Sequence, residues 1–204
     1  MNRYAFYINT SVSSGCKTCQ AACRDKNNLG PGVNWRRVYE VEGGEWKQEK
    51  GAFVALPFSY FISLSCQNCN SPECVKACPT TAMHINAIGI TEVKPSLCIG
   101  CRYCEWACPY GAPQYDQLKK AITKCNLCED LIIKGFKPSC VDACPMRALD
   151  FGTYEEMTAR YGKGGNIFPL PDPSPYEPGM VLNPHRYALQ AEDKHTSILK
   201  NENE

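Results

Sequence analysis

The sequence predicts an α+β fold made of two interleaved cysteine modules, with a β-hairpin insertion and an extended C-terminal tail. Three observations predict it. The 204-residue chain carries fifteen cysteines, all within four groups: Cys16/Cys19/Cys23, Cys66/Cys69/Cys74/Cys78, Cys98/Cys101/Cys104/Cys108 and Cys125/Cys128/Cys140/Cys144. Residues 24–65, between the first two groups, are rich in aromatic and strand-forming types. After the last group, Pro169, Pro171, Pro173, Pro175, Pro178 and Pro184 favour extended backbone.

The elements follow in order. Tyr4 to Ile8 alternates weakly and reads as a short strand before the first group. In the insertion, Trp35 to Val41 and Trp46 to Gln48 flank Glu42-Gly43-Gly44-Glu45, which predicts a hairpin turning at the two glycines. Residues 53–64 read as a further strand. Residues 66–112 form one two-group module, with a hairpin expected over Ile85 to Val93 around Gly89. Residues 113–150 supply the fourth group and pair with 1–65. Residues 151–204 are the Pro-rich tail. It cannot bury a core of its own, so it is expected to be loose or to lie along a partner.

The four groups are an internal repeat. Ala22, Ala77, Ala107 and Ala143 each precede the last cysteine of a group, and Pro79, Pro109 and Pro145 follow three of them; Arg24 stands at the fourth place. The last two cysteines of each group are four residues apart, so they share one helix face. The following proline has no N–H and favours a turn. Cys98-x2-Cys101-x2-Cys104-x3-Cys108-Pro109 matches the bacterial run for cubane iron–sulfur clusters. In that bacterial-ferredoxin-like pattern the fourth cysteine ligates the other cluster of a pair. The modules are therefore read as bacterial-ferredoxin-like units of two [4Fe-4S] clusters each, and the chain as a wire for electrons.

Two rivals fit less well. Zinc sites also use Cys-x2-Cys, but they close with two ligands elsewhere and need no run of four ending in proline. Disulfides require specific Cα separations, which an odd count of cysteines two and three residues apart does not suit.

The first group lacks one cysteine. Extending the pattern backwards places Ser13 at the missing position, as Ser13-x2-Cys16-x2-Cys19-x3-Cys23. The residues leave open a three-iron cluster with Ser13 as an ordinary serine, a serine oxygen on iron, an outside ligand, and an engineered substitution. An alkoxide is a harder ligand than thiolate, so either a serine or an outside ligand should shift that cluster's potential.

Composition excludes other classes. Charged residues make up 21% and the formal net charge is +1, which gives no basic surplus for nucleic acid. Four cubanes at about −2 each would bring the holo chain to roughly −7. Lys17, Arg102 and Lys124 lie near cysteines and are candidates to offset part of that charge. Phe53 to Leu64 is broken by Pro57 and Ser59 and is far short of the roughly 20 residues that cross a bilayer. The start, Met1-Asn2-Arg3-Tyr4-Ala5-Phe6, does not read as a signal peptide, so none of its own is expected. His84, His185 and His195 are isolated and read as ordinary residues; Tyr103 and Trp106 read as packing against a cluster. No nucleotide-binding glycine motif and no catalytic triad or paired-carboxylate arrangement is recognisable, so no catalytic residue is expected.

The runs Ser14-Gly15-Cys16-Lys17-Thr18-Cys19-Gln20-Ala21-Ala22-Cys23, Cys98-Ile99-Gly100-Cys101-Arg102-Tyr103-Cys104, Ala107-Cys108-Pro109-Tyr110-Gly111-Ala112-Pro113-Gln114-Tyr115 and Cys144-Pro145-Met146-Arg147-Ala148-Leu149 resemble the iron–sulfur subunit of the anaerobic dimethyl sulfoxide reductase family. The resemblance covers residues 4–152 and is weaker in the tail. It implies a non-catalytic subunit with four clusters, set between a molybdopterin-containing catalytic subunit and a quinol-oxidising integral membrane subunit in a bacterial membrane-associated complex. It also implies ligand sets. Cys16, Cys19, Cys144 and the Ser13 position would hold one cluster, either [4Fe-4S] or [3Fe-4S]. Cys23, Cys125, Cys128 and Cys140 would hold the second, Cys66, Cys69, Cys74 and Cys108 the third, and Cys78, Cys98, Cys101 and Cys104 the fourth. These three would be [4Fe-4S]. Cys104 is present where some relatives have another residue, so the fourth is expected to be a full cubane.

The alternative is a free soluble multi-cluster carrier, or an electron-transfer module of a formate dehydrogenase or hydrogenase. The insertion and the tail favour the dedicated subunit, because a free carrier has little use for a partner-wrapping arm.

Overall fold

The structure is a computed structural model that describes residues 3–188 and the backbone of 197–199. In chain order the elements are β1 (Tyr4–Asn9), α1 (Thr18–Lys26), β2 (Arg37–Glu49), β3 (Ala52–Leu64), α2 (Glu73–Lys76), β4 (Met83–Ile85), β5 (Thr91–Val93), a 3-10 turn (Pro95–Leu97), α3 (Tyr103–Ala107), β6 (Gln114–Asp116), β7 (Ala121–Thr123), α4 (Glu129–Ile132), α5 (Ser139–Asp142), β8 (Leu149–Thr153), α6 (Tyr154–Tyr161), β9 (Met180–Asn183) and β10 (Ser197–Leu199). Short helices and small sheets mix along the sequence, the α+β class that the residues predict.

β1 is the middle strand of a three-stranded sheet. It runs antiparallel to β8, with Tyr4 opposite Thr153 and Ile8 opposite Leu149, and parallel to β9, with Phe6 opposite Met180. Phe6 and Ile8 enter the main core, while Ala5 and Tyr7 pack on Met157 of α6 and Val181 of β9. With both faces covered, the strand has no polar side to alternate with, which explains its weak pattern. α6 opens on a capping box: the Thr153 hydroxyl accepts from the Glu156 N–H, and the Glu156 carboxylate accepts from the Thr153 N–H.

β2 and β3 form a hairpin whose register runs from Arg37 opposite Leu64 to Glu49 opposite Ala52. The turn is Lys50-Gly51, with φ of 50° and 85°, and not Gly43-Gly44. Positive φ at both central residues matches the turn twist to the strand twist. Gly44 instead lies within β2 opposite Pro57, where a Cβ would come within 2.9 Å of the Pro57 Cα. The glycine serves a close approach of two strands, which from sequence alone looks the same as a turn. Val38, Val41, Tyr60, Ile62 and Leu64 bury the base of the hairpin. Trp46, Phe53, Val54 and Leu56 near its tip are exposed.

Residues after Asp150 pack on the body of this same protein as far as they are described. β9 adds to the first sheet, and β10 pairs antiparallel with Glu40–Glu42 of β2. Between them, the Asn70 and Ser71 N–H groups donate to Glu177 and Tyr176 carbonyls, and the Gly179 N–H donates to the Gln67 carbonyl at 2.6 Å. The tail thus clasps the segment that carries Cys66 and Cys69. The Tyr60 hydroxyl donates to the Phe168 carbonyl at 2.6 Å, and His185 stacks on the Tyr60 ring.

Candidate metal centres

Each cysteine group begins in a loop that shares one left-handed residue. The residue two after the first position of the group is left-handed every time: Asn68 (φ 46°), Gly100 (φ 69°), Leu127 (φ 59°) and, after Ser13, Gly15 (φ 69°). Such a turn aims backbone N–H groups inward. Asn68 N–H donates to Cys66 Sγ and Leu127 N–H to Cys125 Sγ, both at 3.4 Å. Further amides reach the sulfurs from the small hairpins and loops: Met83 N–H to Cys78 Sγ at 3.3 Å, Ile122 N–H to Cys98 Sγ and Ala112 N–H to Cys108 Sγ at 3.4 Å. The Ser13 loop therefore shares with the cysteine loops the left-handed residue that turns them.

The helices then bring distant groups together. α1 carries Cys19 and Cys23 and packs on α5, which carries Cys140 and is followed by Cys144. Ser13, Cys16, Cys19 and Cys144 line one pocket. Thr18 Oγ1 donates to Cys16 Sγ at 3.4 Å, and Cys19 Sγ lies 3.3 Å from Ser63 Oγ. The Thr18 contact, helped by Ser14, lowers the pKa of the exposed Cys16 thiol. Cys23 neighbours Cys140 and Cys128, and Cys125 neighbours Cys23, Cys66 and Cys140. All four are buried.

α2 and α3 repeat the arrangement for the other two groups. Cys69 and Cys74 each neighbour Cys66 and Cys108. Cys78, Cys98, Cys101 and Cys104 line a second pocket, walled by Met83, Val93 and Ile122. Cys78 and Cys144 thus share a pocket with cysteines of the partner group, and Cys23 and Cys108 neighbour theirs, so the sixteen positions singled out in the sequence can be grouped as four sets of four, with Cys125 also near Cys66 and Cys140 near Cys19. We number these sets first to fourth, in the order Ser13, Cys23, Cys66 and Cys78.

The residues present fit iron–sulfur clusters rather than free thiols. Burial, with the neighbouring thiolates, pushes the Cys23 and Cys69 thiols up to about 12, the Cys104 thiol up to about 11, and Cys74, Cys125 and Cys140 upward as well. Protonated thiols would leave two buried cations without a counter-charge. Arg36 is 1% exposed and Lys124 4%, and among the described residues neither pairs with a carboxylate. An unpaired charge in the interior costs several kcal/mol, so the site calls for anionic sulfur around it. Among the described residues, no three His, Cys, Asp or Glu side chains close on a single ion as zinc ligands would.

Other expectations divide. Tyr103 and Trp106 do not pack against a cluster site: they are 53% and 73% exposed and lean on each other at 5.7 Å. α3 turns Cys104 inward, and their positions on either side of it face out. Lys17 and Arg102 lie at the surface, Arg102 paired with Glu105 at 2.6 Å, so Lys124 is the one of the three cations that is buried among cysteines. His84 pairs with Glu92, and neither it nor His185 lines a described cysteine cavity. His195 lies outside the described residues. Sequence reasoning missed Arg36. Its only signal was the basic doublet Arg36-Arg37 after Trp35, at the head of an expected hairpin arm.

Comparison with known proteins agrees with this chemistry. A family model described as a 4Fe-4S dicluster domain matches residues 57–154. The protein is 47% identical to the B subunit of anaerobic dimethyl sulfoxide reductase from Haemophilus influenzae, covering 95% of both sequences. It is 45% identical to the corresponding B subunit of Escherichia coli, over 90% of this sequence and 89% of that one. It is 37% identical to the B subunit of polysulfide reductase from Wolinella succinogenes, over 79% of this sequence and 82% of that one.

Proposed function

The protein belongs to the family of anaerobic dimethyl sulfoxide reductase B subunits, iron–sulfur electron-transfer subunits and not catalytic ones, and from that premise we propose that it relays electrons through four clusters between a quinol-oxidising membrane subunit and a molybdopterin catalytic subunit that reduces dimethyl sulfoxide. A bound [4Fe-4S] cluster supplies one-electron redox chemistry whose potential its surroundings set. The protein's own residues bind, insulate and space the centres. Two interleaved bacterial-ferredoxin-like modules do this, 66–112 for the third and fourth clusters and 1–65 with 113–150 for the first and second. The cysteines of the second, third and fourth sets each hold a [4Fe-4S] cluster. Cys16, Cys19 and Cys144 hold a [4Fe-4S] or [3Fe-4S] cluster at the Ser13 position.

The observation that carries this reading is the linear order of the four sets. Arg36 lies within electrostatic reach of Cys19 in the first set and of Cys23, Cys125 and Cys140 in the second. Lys124 lies within electrostatic reach of Cys125 in the second set and of Cys66 and Cys74 in the third. α2 and α3 join the third to the fourth. A line of centres with the exposed Cys16 at one end and the partly exposed Cys98 and Cys101 at the other suits relay between partners at its two ends. Exposed Leu97, Ile99, Tyr103 and Trp106 beside the fourth set, and the apolar tip of the β2–β3 hairpin, favour contact with other subunits. Among the described residues no helix is long and apolar enough to cross a membrane, so the quinol-oxidising step is assigned to a partner.

Purifying the native complex tests the proposal. A molybdopterin subunit and an integral membrane subunit should co-purify, and a quinol should reduce the clusters of this subunit, with dimethyl sulfoxide reoxidising them. A protein that purifies alone, with clusters that neither compound touches, would return the reading to a free carrier.

A further inference from the structure

Two buried cations are left without a carboxylate, and each sits at a junction between neighbouring sites. Arg36 lies between the first and second. Its Nη1 donates to Ser63 Oγ at 3.1 Å and its Nη2 to Ser65 Oγ at 2.9 Å, while the guanidinium lies 4.4 Å from the centre of the Phe6 ring. Ser63 Oγ in turn meets Cys19 Sγ. Lys124 lies between the second and third. Its ammonium donates to the Thr91 carbonyl and, at 2.7 Å, to the carbonyl of Cys125, and it also reaches the Cys66 side chain. Serine hydroxyls and backbone carbonyls hold these two charges in place without neutralising them. Among the described residues, no other Lys or Arg is buried, so the fourth site has no such cation.

We propose that Arg36 and Lys124 are potential-setting residues of the relay, each shared between two clusters and each raising the reduction potential of both. The inference rests on the ligand sets proposed above. A cluster gains one negative charge on reduction, and a fixed positive charge in a low-dielectric interior favours the state with more negative charge. The same charge in water would be screened. Burial keeps these two effective, and the serine and carbonyl acceptors keep them near the sulfurs whatever the oxidation state. Their position at the junctions means that each acts on two neighbours and leaves more distant sites alone.

Redox-titrated electron paramagnetic resonance on the assembled complex tests this, with each signal assigned through variants of its own cysteines. Arg36→Gln should lower the potentials of the first and second clusters and leave the fourth unmoved. Lys124→Gln should lower those of the second and third and leave the fourth unmoved. Arg36→Lys and Lys124→Arg keep the charge and should restore most of each shift. Equal shifts in the neutral and charge-keeping variants, shifts spread evenly over all four clusters, or no shift would overturn the proposal. If one neutral variant fails to load clusters, the other junction carries the test. If both fail while both charge-keeping variants load with unaltered potentials, the cations serve folding and the proposal is wrong. Absence of four iron–sulfur signals in the unmodified complex would instead refute the ligand sets, a separate outcome.

Discussion

Replacing Cys78 with alanine separates the ligand exchange between groups from a reading in which each group binds its own cluster. Cys78 follows Cys66, Cys69 and Cys74 in the sequence, yet it lines a cavity with Cys98, Cys101 and Cys104. Cys78 is also the charged neighbour that acts most strongly on Cys104. Losing one thiolate leaves three, enough for a three-iron cluster or for none. The expected iron loss is therefore about one to four atoms out of about sixteen, all from the fourth site. The fold should tolerate the change. Cys78 Sγ accepts the Met83 N–H at 3.3 Å, and freeing one amide costs about 1 kcal/mol. Iron and sulfide analysis with electron paramagnetic resonance reads the result. The signal assigned to Cys66, Cys69, Cys74 and Cys108 should survive intact, and Cys108→Ala should give the reverse pattern. If Cys78→Ala abolishes the third cluster and spares the fourth, the exchange of ligands between groups is wrong.

Further predictions concern other links of the account. Ser13→Cys should give an ordinary all-cysteine [4Fe-4S] first cluster with a changed potential, since its loop already turns as a cysteine loop at Gly15; identical signals at identical potentials in both forms would make Ser13 a bystander. Asp150 binds Lys137 and Arg160 at 2.7 and 2.8 Å and accepts the Tyr161 hydroxyl, and despite its burial these partners hold its carboxyl at about 2. Because that pKa is depressed, its stabilisation, at most about 2 kcal/mol, is present above about pH 4 and fades below it. Asp150→Asn should thus speed amide exchange in the β1–β8 ladder by a factor that is constant from pH 8 to 5, and a factor that varies across this window would sink the assignment. Thr153→Ala removes the cap of α6 and should lower stability by about 1 kcal/mol in denaturant unfolding; no change would mean that the capping box contributes nothing.

The parts of the site that were legible in the sequence are those that local chemistry dictates. A cysteine loop needs its spacing, its left-handed residue and its following turn within a dozen positions, so the groups and the odd Ser13 could be read directly. The hairpin turn could not. Lys50-Gly51 carries a weaker signal than Gly43-Gly44, and only the pairing of Gly44 with Pro57 across the strands explains why that glycine sits inside β2. Arg36 was hidden for a related reason. Nothing in the run Trp35-Arg36-Arg37 tells which arginine turns inward; Arg36, just before β2, points to the buried hydroxyls of Ser63 and Ser65, and Arg37, its first residue, to the carbonyls of Tyr110 and Gly111. Tyr103 and Trp106 failed in the opposite sense: adjacency to ligands in sequence suggested cluster contact, but a five-residue helix has only one inner face, and Cys104 occupies it.

The central claim is that these cysteines hold four iron–sulfur clusters, and metal and sulfide analysis of protein purified without oxygen tests it most directly. The account predicts about sixteen iron and about sixteen acid-labile sulfide per molecule, or about one iron fewer if the first cluster has three irons. Zinc as the dominant metal, or iron without matching sulfide, would contradict it.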